Sequence, residues 1–518
     1  MAIWASGKPK QQTIAGRQIH PLVMALSYGA TFISTSAIVG FGGAAGSLGM
    51  GLLWLTFLNI FVGIFIAFII FGKRTRKMGH NLDAHTFPEL LGTRFQSKFI
   101  QGFSAFVIFL FMPVYAAAVV KGGADFIQSY FNIPFEVSLL FFVAIVSIYV
   151  WMGGMKGVMY TDAFQGLIMF AGMVFLLIYV YNMLGGVTAA NTKLTALFAD
   201  PAVQDQTAMM IKGGFQGWTS MPAFGSPIWW SLVSTIIMGV GIGVLAQPQL
   251  VVRFMTVKSN RELNRAVASG GVFIFMMTGV AFLVGALSNV AFFGDTGSIS
   301  SIAAGSTDKI IPQFIKTYLP EWYGAIFMVT LLAAAMSTLS SQFHTIGSAA
   351  GRDIYEKTMG KSSNSILVIR IAIFVGIILT TMLAWLSKYL DSGMAVIATG
   401  TALFFGLCAA TFLPAYISAL YFKNISVTAV KAGMVSGFAT AIFWIFFVHE
   451  KESSSLQLCI QLTGKTSIVK DTALAKLAMV DPIFIALPVS ILVTIIIAQL
   501  TKNALEQNHI DKCFNGIK

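Results

Sequence analysis

Long apolar runs separated by short polar loops dominate the chain. Twelve are legible, at about 22–45, 51–72, 100–124, 136–154, 158–184, 228–252, 266–291, 322–348, 366–387, 393–421, 427–448 and 481–500. Most reach the roughly 20 residues that a helix needs to cross the hydrocarbon core. The pattern predicts an all-α polytopic membrane protein with about 12 transmembrane helices. Two segments stand out. Residues 27–53 (SYGATFISTSAIVGFGGAAGSLGMGLL) and 230–251 (WSLVSTIIMGVGIGVLAQPQLV) are rich in glycine, and each opens a run of five apolar segments. Inside a bilayer, a broken helix must find partners for its freed backbone groups. In secondary transporters such breaks line a binding site near the midplane.

Alternating direction makes segments one to five and six to ten opposite in topology. They form a five-plus-five inverted repeat, with segments eleven and twelve appended. The resulting division is a cytoplasmic tail (1–20), a first five-helix repeat (21–184), an external loop (185–227), a second repeat (228–421), two additional helices with an external loop (422–500) and a cytoplasmic tail (501–518).

Composition excludes most other classes. The chain is 56% hydrophobic and 10% charged, with mean hydropathy +0.80. Soluble domains carry about 25% charged residues. A net charge of +13 in a soluble chain would suggest nucleic acid; here the positive-inside rule accounts for it. The side holding the N-terminus, the even-numbered loops and the C-terminus collects 23 of the 33 Lys and Arg and 8 of the 20 Asp and Glu, a balance of +15 against −2 on the other side. That asymmetry places both termini in the cytoplasm and the protein in the cell membrane. Residues 1–20 have no apolar core of a signal peptide. Cys408, Cys459 and Cys513 are too far apart in sequence to suggest a metal site or a disulfide framework.

Candidate chemistry lies in two hydroxyl clusters. Ser337, Thr338, Ser340 and Ser341 interrupt the eighth segment (LLAAAMSTLSSQ), and Thr31, Ser34, Thr35 and Ser36 interrupt the first. Ser and Thr in membrane helices often bond back to their own backbone. Two such clusters facing one another, beside free carbonyls, instead suit a hard monovalent cation. A proton relay needs titratable groups at depth. Asp162, at the cytoplasmic start of segment five, is the one carboxylate this reading sets near a span, and His344 reads as a packing residue. The expected driving ion is therefore Na⁺.

The stretches GGMKGVMYTDAFQGLIM (153–169) and AAAMSTLSSQFHTIGSAAGRDIY (333–355) resemble the two signature regions of the sodium/solute symporter family, which includes proline, pantothenate, acetate and sugar symporters. AQPQLVVRFM (246–255) and FLPAYISALYFKNISVTAVKAGMVSGF (412–438) are similar to further stretches of that family. The resemblance implies a LeuT-type fold. It also implies a sodium site formed by the backbone carbonyls of Ala30, Ile33 and Ala334 and the hydroxyls of Ser337 and Thr338. Asp162 matches an aspartate associated with sodium release; its alternative role is that of a carboxylate favoured by a helix N-terminus. The pattern departs from the family at two points. Family members commonly carry an extra helix before the core, whereas this sequence begins just before the first core helix, either because its start is truncated or because the helix is absent; and Phe32 stands where proline symporters carry aspartate.

The resemblance further implies a solute pocket holding Ser34, Tyr115, Val240, Val244 and, nearby, Gln247. Such a pocket suits a small, partly apolar solute, and a free helix N-terminus can bind a carboxylate, so the expected substrate is a small carboxylate such as a monocarboxylate, pantothenate or an amino acid. Lys121 is an attractor for an organic anion, the partner of Asp125 four residues on, or a side chain that snorkels to the interface. No cofactor beyond the coupling ion is expected. The expected partners are solute, Na⁺ and lipid, with no nucleic acid and no obligate protein partner. A membrane enzyme would need clustered ligands or acids that this sequence lacks. The alternatives are a proton-coupled or uncoupled permease of the same fold, or a transporter-like solute sensor.

Overall fold

A computed structural model describes residues 19–152, 155–361, 365–390 and 396–517. Most of the expected N-terminal tail therefore lies outside the described residues, as do Gly153 and Gly154 of the first signature stretch. The described chain is helical. Its membrane-length elements are α1, broken into Pro21–Phe32 (α1a) and Ser36–Leu48 (α1b), α2 (Met50–Asn81), α3 (Lys98–Phe131), α4 (Phe135–Met152), α5 (Met155–Met183), α6 (Pro227–Ala246), α7 (Asn260–Thr296), α8 (Glu321–Thr358), α9 (Ser365–Leu386), α10 (Val396–Tyr421), α11 (Val427–Val448) and α12 (Ile483–Leu500). Ten of these are individually long and apolar enough to span, and the bent α1 makes an eleventh. The twelfth expected segment corresponds to α4, whose clearly apolar described part is the shorter Phe135–Ile148.

Both helix breaks occur, but not at glycine. The halves of α1 meet at 55°, and Ile33 at the junction is extended (φ −91°, ψ 106°). In the sixth segment the extended residue is Gln247 (φ −73°, ψ 114°), followed by the short helix Pro248–Phe254. Pro248 explains this break, because a proline disfavours helical backbone in the residue before it. The glycines serve close packing instead. A Cβ on Gly243 would lie 2.5 Å from the carbonyl oxygen of Phe405 on α10, and one on Gly285 of α7 would lie 1.9 Å from that of Gly42.

These contacts set the core. Helix α1a packs on α5, α7 and α8, while α1b packs on α7 and reaches α3 and α10. Helices α11 and α12 pair with each other and rest on α10. The C-terminal end of α1b is tied down by the loop before α6. The indole of Trp218 donates to the Gly46 carbonyl at 2.7 Å, Asn289 donates to the same carbonyl at 2.8 Å, and Met50 N–H donates to Trp218 O at 2.6 Å. These bonds satisfy groups that a helix end leaves open.

Candidate functional site

The hydroxyl face of α8 meets the end of α1a. The Ser337 hydroxyl donates to the Ala30 carbonyl at 2.8 Å and to the Ala334 carbonyl at 3.0 Å. The Thr338 hydroxyl donates to the Thr31 carbonyl at 3.0 Å and lies 3.5 Å from that of Ala30. All of these residues are buried. Four of the five expected sodium-site residues are thus joined directly. Ile33 stands at the adjoining break, its carbonyl outside the helical ladder. Thr31 completes the set through its carbonyl, a contribution the sequence did not single out. The arrangement presents neutral oxygens with no carboxylate among them, a donor set suited to a monovalent hard cation.

One turn along α1a lies a buried ion pair. Arg253, from the short helix after the α6 break, meets Asp162 of α5 at 2.9 Å, and neither side chain is exposed. Arg253 also donates to the hydroxyls of Ser27 and Thr31 and, at 2.6 Å, to that of Ser341. The Asp162 carboxylate accepts from Ser27 at 3.2 Å and from Thr31 at 3.3 Å. Its Oδ1 is buried and has no hydrogen-bond partner among the described residues. Thr31 therefore belongs to both groups: its carbonyl faces Thr338 and its hydroxyl faces the ion pair.

Three sequence expectations change here. Asp162 lies well inside α5, so the helix-terminus role gives way to a paired charge. Arg253 is a buried partner rather than a loop cation; the pair takes one charge of each sign from the same side of the charge count and leaves its balance intact. Nor is Asp162 the lone carboxylate at depth. Asp125 of α3 and Asp353 of α8 are also buried, the latter accepting from Thr86 at 2.7 Å and from Gln101 at 2.9 Å.

A small cavity opens beside the α1 break. Its walls come from α1, α2, α3, α6, α7 and α10, with Phe32, Ser34, Asn59, Tyr115, Val240 and Phe405 among them. Ser34, Tyr115 and Val240 of the expected solute set line it. The other two expected residues are not among the lining residues. Val244 turns toward Gly63 of α2, and the Gln247 amide donates to Gly243 O at 3.4 Å and accepts from Gln249 at 3.2 Å. Asn59 was missed, because a single amide in an apolar run carries no motif.

Above the cavity Lys121 is buried, bonded to Asp125 at 2.6 Å and to Asp308 at 3.1 Å. Asp308 also accepts from Ile397 N–H at 3.4 Å. The i+4 pairing of Lys121 is present, and Asp308 joins α3 to the start of α10.

A bent first helix, a second break before Pro248 and an ion-sized cluster between α1a and α8 define a LeuT-type transporter. The model of the sodium:solute symporter family matches residues 13–437, and the chain belongs to that family. It is 27% identical over 455 residues to sodium/proline symporter 2 of Staphylococcus saprophyticus, covering 86% of this chain and 82% of that protein. It is 28% identical over 442 residues to the osmoregulated proline transporter OpuE of Bacillus subtilis, covering 83% and 82%. Among solved structures, a Na⁺-coupled sialic acid symporter in a substrate-bound outward-open state superposes with a TM-score of 0.72 at 18% identity, covering 97% of this chain and 95% of that one.

Proposed function

We propose that the protein carries a small organic solute, a carboxylate or an amino acid, into the cell together with Na⁺ by alternating access. The observation that carries this reading is the meeting of the α1 break with α8. There, carbonyls from α1a and the Ser337 and Thr338 hydroxyls converge beside a cavity that shares Ile33. Sodium is assigned to Ala30, Ile33, Ala334, Ser337 and Thr338, with Thr31 as a sixth contributor. The solute is assigned to the cavity at Ser34, Tyr115 and Val240. Asp162, with one open oxygen a turn away, receives the ion on its way to the cytoplasm. Both termini lie in the cytoplasm and the membrane is the plasma membrane, as the charge asymmetry requires.

Names of the relatives favour proline as the first solute to test. Phe32, standing where the proline symporters carry aspartate, favours including other acids. The test is radiolabelled uptake of proline, acetate, propionate, pyruvate, pantothenate and a hexose into proteoliposomes, with an inward Na⁺ gradient and with K⁺ in its place. Saturable uptake of one acid only under the Na⁺ gradient is expected. Uptake that ignores sodium and follows pH contradicts the reading.

A further inference from the structure

The cavity carries information about its occupant as well as its place. None of its lining side chains is formally charged. Its hydroxyls are already engaged. Ser34 and Ser36 bond each other at 2.5 Å, and Tyr115 interacts with both. Thr278 donates to Ile274 O at 2.9 Å and Thr401 to Ile397 O at 2.9 Å.

Asn59 of α2 differs. It lines the cavity, is 3% exposed, and its Oδ1 has no hydrogen-bond partner among the described residues. A buried amide oxygen without a donor is costly, and native proteins rarely leave one unless a ligand completes it. Aromatic rings form the surrounding wall. Phe41 and Phe282 meet edge to face with centroids 6.4 Å apart, and Tyr115 and Phe405 do so at 5.2 Å. Such walls accept a compact apolar skeleton.

Resting on the symport reading above, we infer that Asn59 is a specificity-determining residue and that the solute bears an N–H or O–H donor next to its carboxylate. The class is a small α-amino, imino or hydroxy acid with an apolar skeleton, in preference to a plain alkyl monocarboxylate. Its donor meets the Asn59 oxygen and its skeleton lies among the aromatic rings. Its carboxylate is met by the sodium ion assigned to the neighbouring site. A plain alkyl acid fills the same volume and leaves Asn59 unpaired, and a site built around a hydrogen bond rejects the analogue that cannot make it.

Matched acids test the assignment: alanine, lactate and propionate, and proline with cyclopentanecarboxylate. In Na⁺-driven uptake, the wild type is expected to favour donor-bearing members by at least about 10-fold in kcat/KM. Asn59→Leu is expected to bring that ratio close to one without moving the sodium concentration for half-maximal uptake. Asn59→Gln, which keeps the amide, retains part of the preference and guards against a misfolded leucine variant. An unchanged ratio in folded Asn59→Leu, or a wild type that prefers propionate and cyclopentanecarboxylate, overturns the inference.

Thermal stabilisation of the purified protein by the same acids, in Na⁺ and in K⁺, separates the two readings. Donor-selective stabilisation that is equal in both salts removes sodium coupling and keeps Asn59. Sodium-dependent stabilisation without donor selectivity keeps coupling and removes Asn59. No stabilisation by any of the acids overturns the assigned class.

Discussion

Arg253 and Asp162 meet at 2.9 Å in a fully buried ion pair that joins the helix after the α6 break to α5. Both pack around Ser27 and Thr31 of α1a, so the second break is fastened to the lower end of the first. The pair gives the polar interior under the candidate ion site a fixed charge partner. Taking either member away leaves an uncompensated buried charge, and such losses cost about 3–5 kcal/mol. Asp162→Asn and Arg253→Met are each expected to destabilise the purified protein by that order. The double variant is expected to cost less than the sum. Thermal unfolding of all four proteins in detergent measures this, and additive losses would show that the two residues act separately.

The Lys121 cluster yields a prediction about access. Lys121 holds Asp125 and Asp308 above the cavity, and Asp308 reaches Ile397 at the start of α10. Lys121→Gln removes the cation that this arrangement is built around. The outer side is expected to loosen, so a cysteine at Ala118, which is buried near α10, becomes labelled from outside several-fold faster than in the Lys121 background. The three native cysteines are buried, which keeps the background low. Equal labelling rates in the two backgrounds would remove Lys121 from outer closure.

Asp481, in the loop before α12, gives a pH dependence. Burial raises its carboxyl to about 6, against the usual 3.8, although Ile483 N–H donates to it at 3.0 Å. In the pH window from about 4 to 6, the native protein holds a proton that the unfolded chain has lost. Stability from this group is fully present below pH 4 and is lost as pH rises through 6, by up to about 3 kcal/mol. Asp481→Asn keeps the acceptor and removes the charge. It is expected to flatten this slope and to raise stability at pH 7, read from unfolding temperatures between pH 4 and 7. A slope shared by wild type and variant would assign it to another group.

Much of this arrangement was legible in the sequence, and the unread parts have physical reasons. Apolar length located the helices, because the bilayer imposes it. The spacing of Ala334, Ser337 and Thr338 placed three oxygens on one helical face, since positions three and four apart are neighbours. The helix breaks were misplaced because glycine has two uses. At Gly243 and Gly285 it allows backbones to touch, while the break itself sits at Gln247, where Pro248 was the available local signal. Arg253 read as a loop cation because Lys258, Arg261 and Arg265 follow it. Its burial depends on α5 and α1a arriving from elsewhere in the chain, and no local pattern encodes that. Asn59 escaped for a similar reason: only the meeting of six helices makes its amide a cavity wall.

Sodium coupling rests on the meeting of α1a with α8. The most direct test is the sodium dependence of solute uptake in proteoliposomes for wild type, Ser337→Ala, Thr338→Ala and the double variant. Each hydroxyl removes one neutral ligand, and losing a ligand of this kind is expected to cost about 1–2 kcal/mol, or roughly 5- to 30-fold in the sodium concentration for half-maximal uptake. That rise is expected for each variant and is larger in the double variant, with solute KM at saturating sodium changed far less. Unchanged sodium dependence in a folded double variant would contradict it.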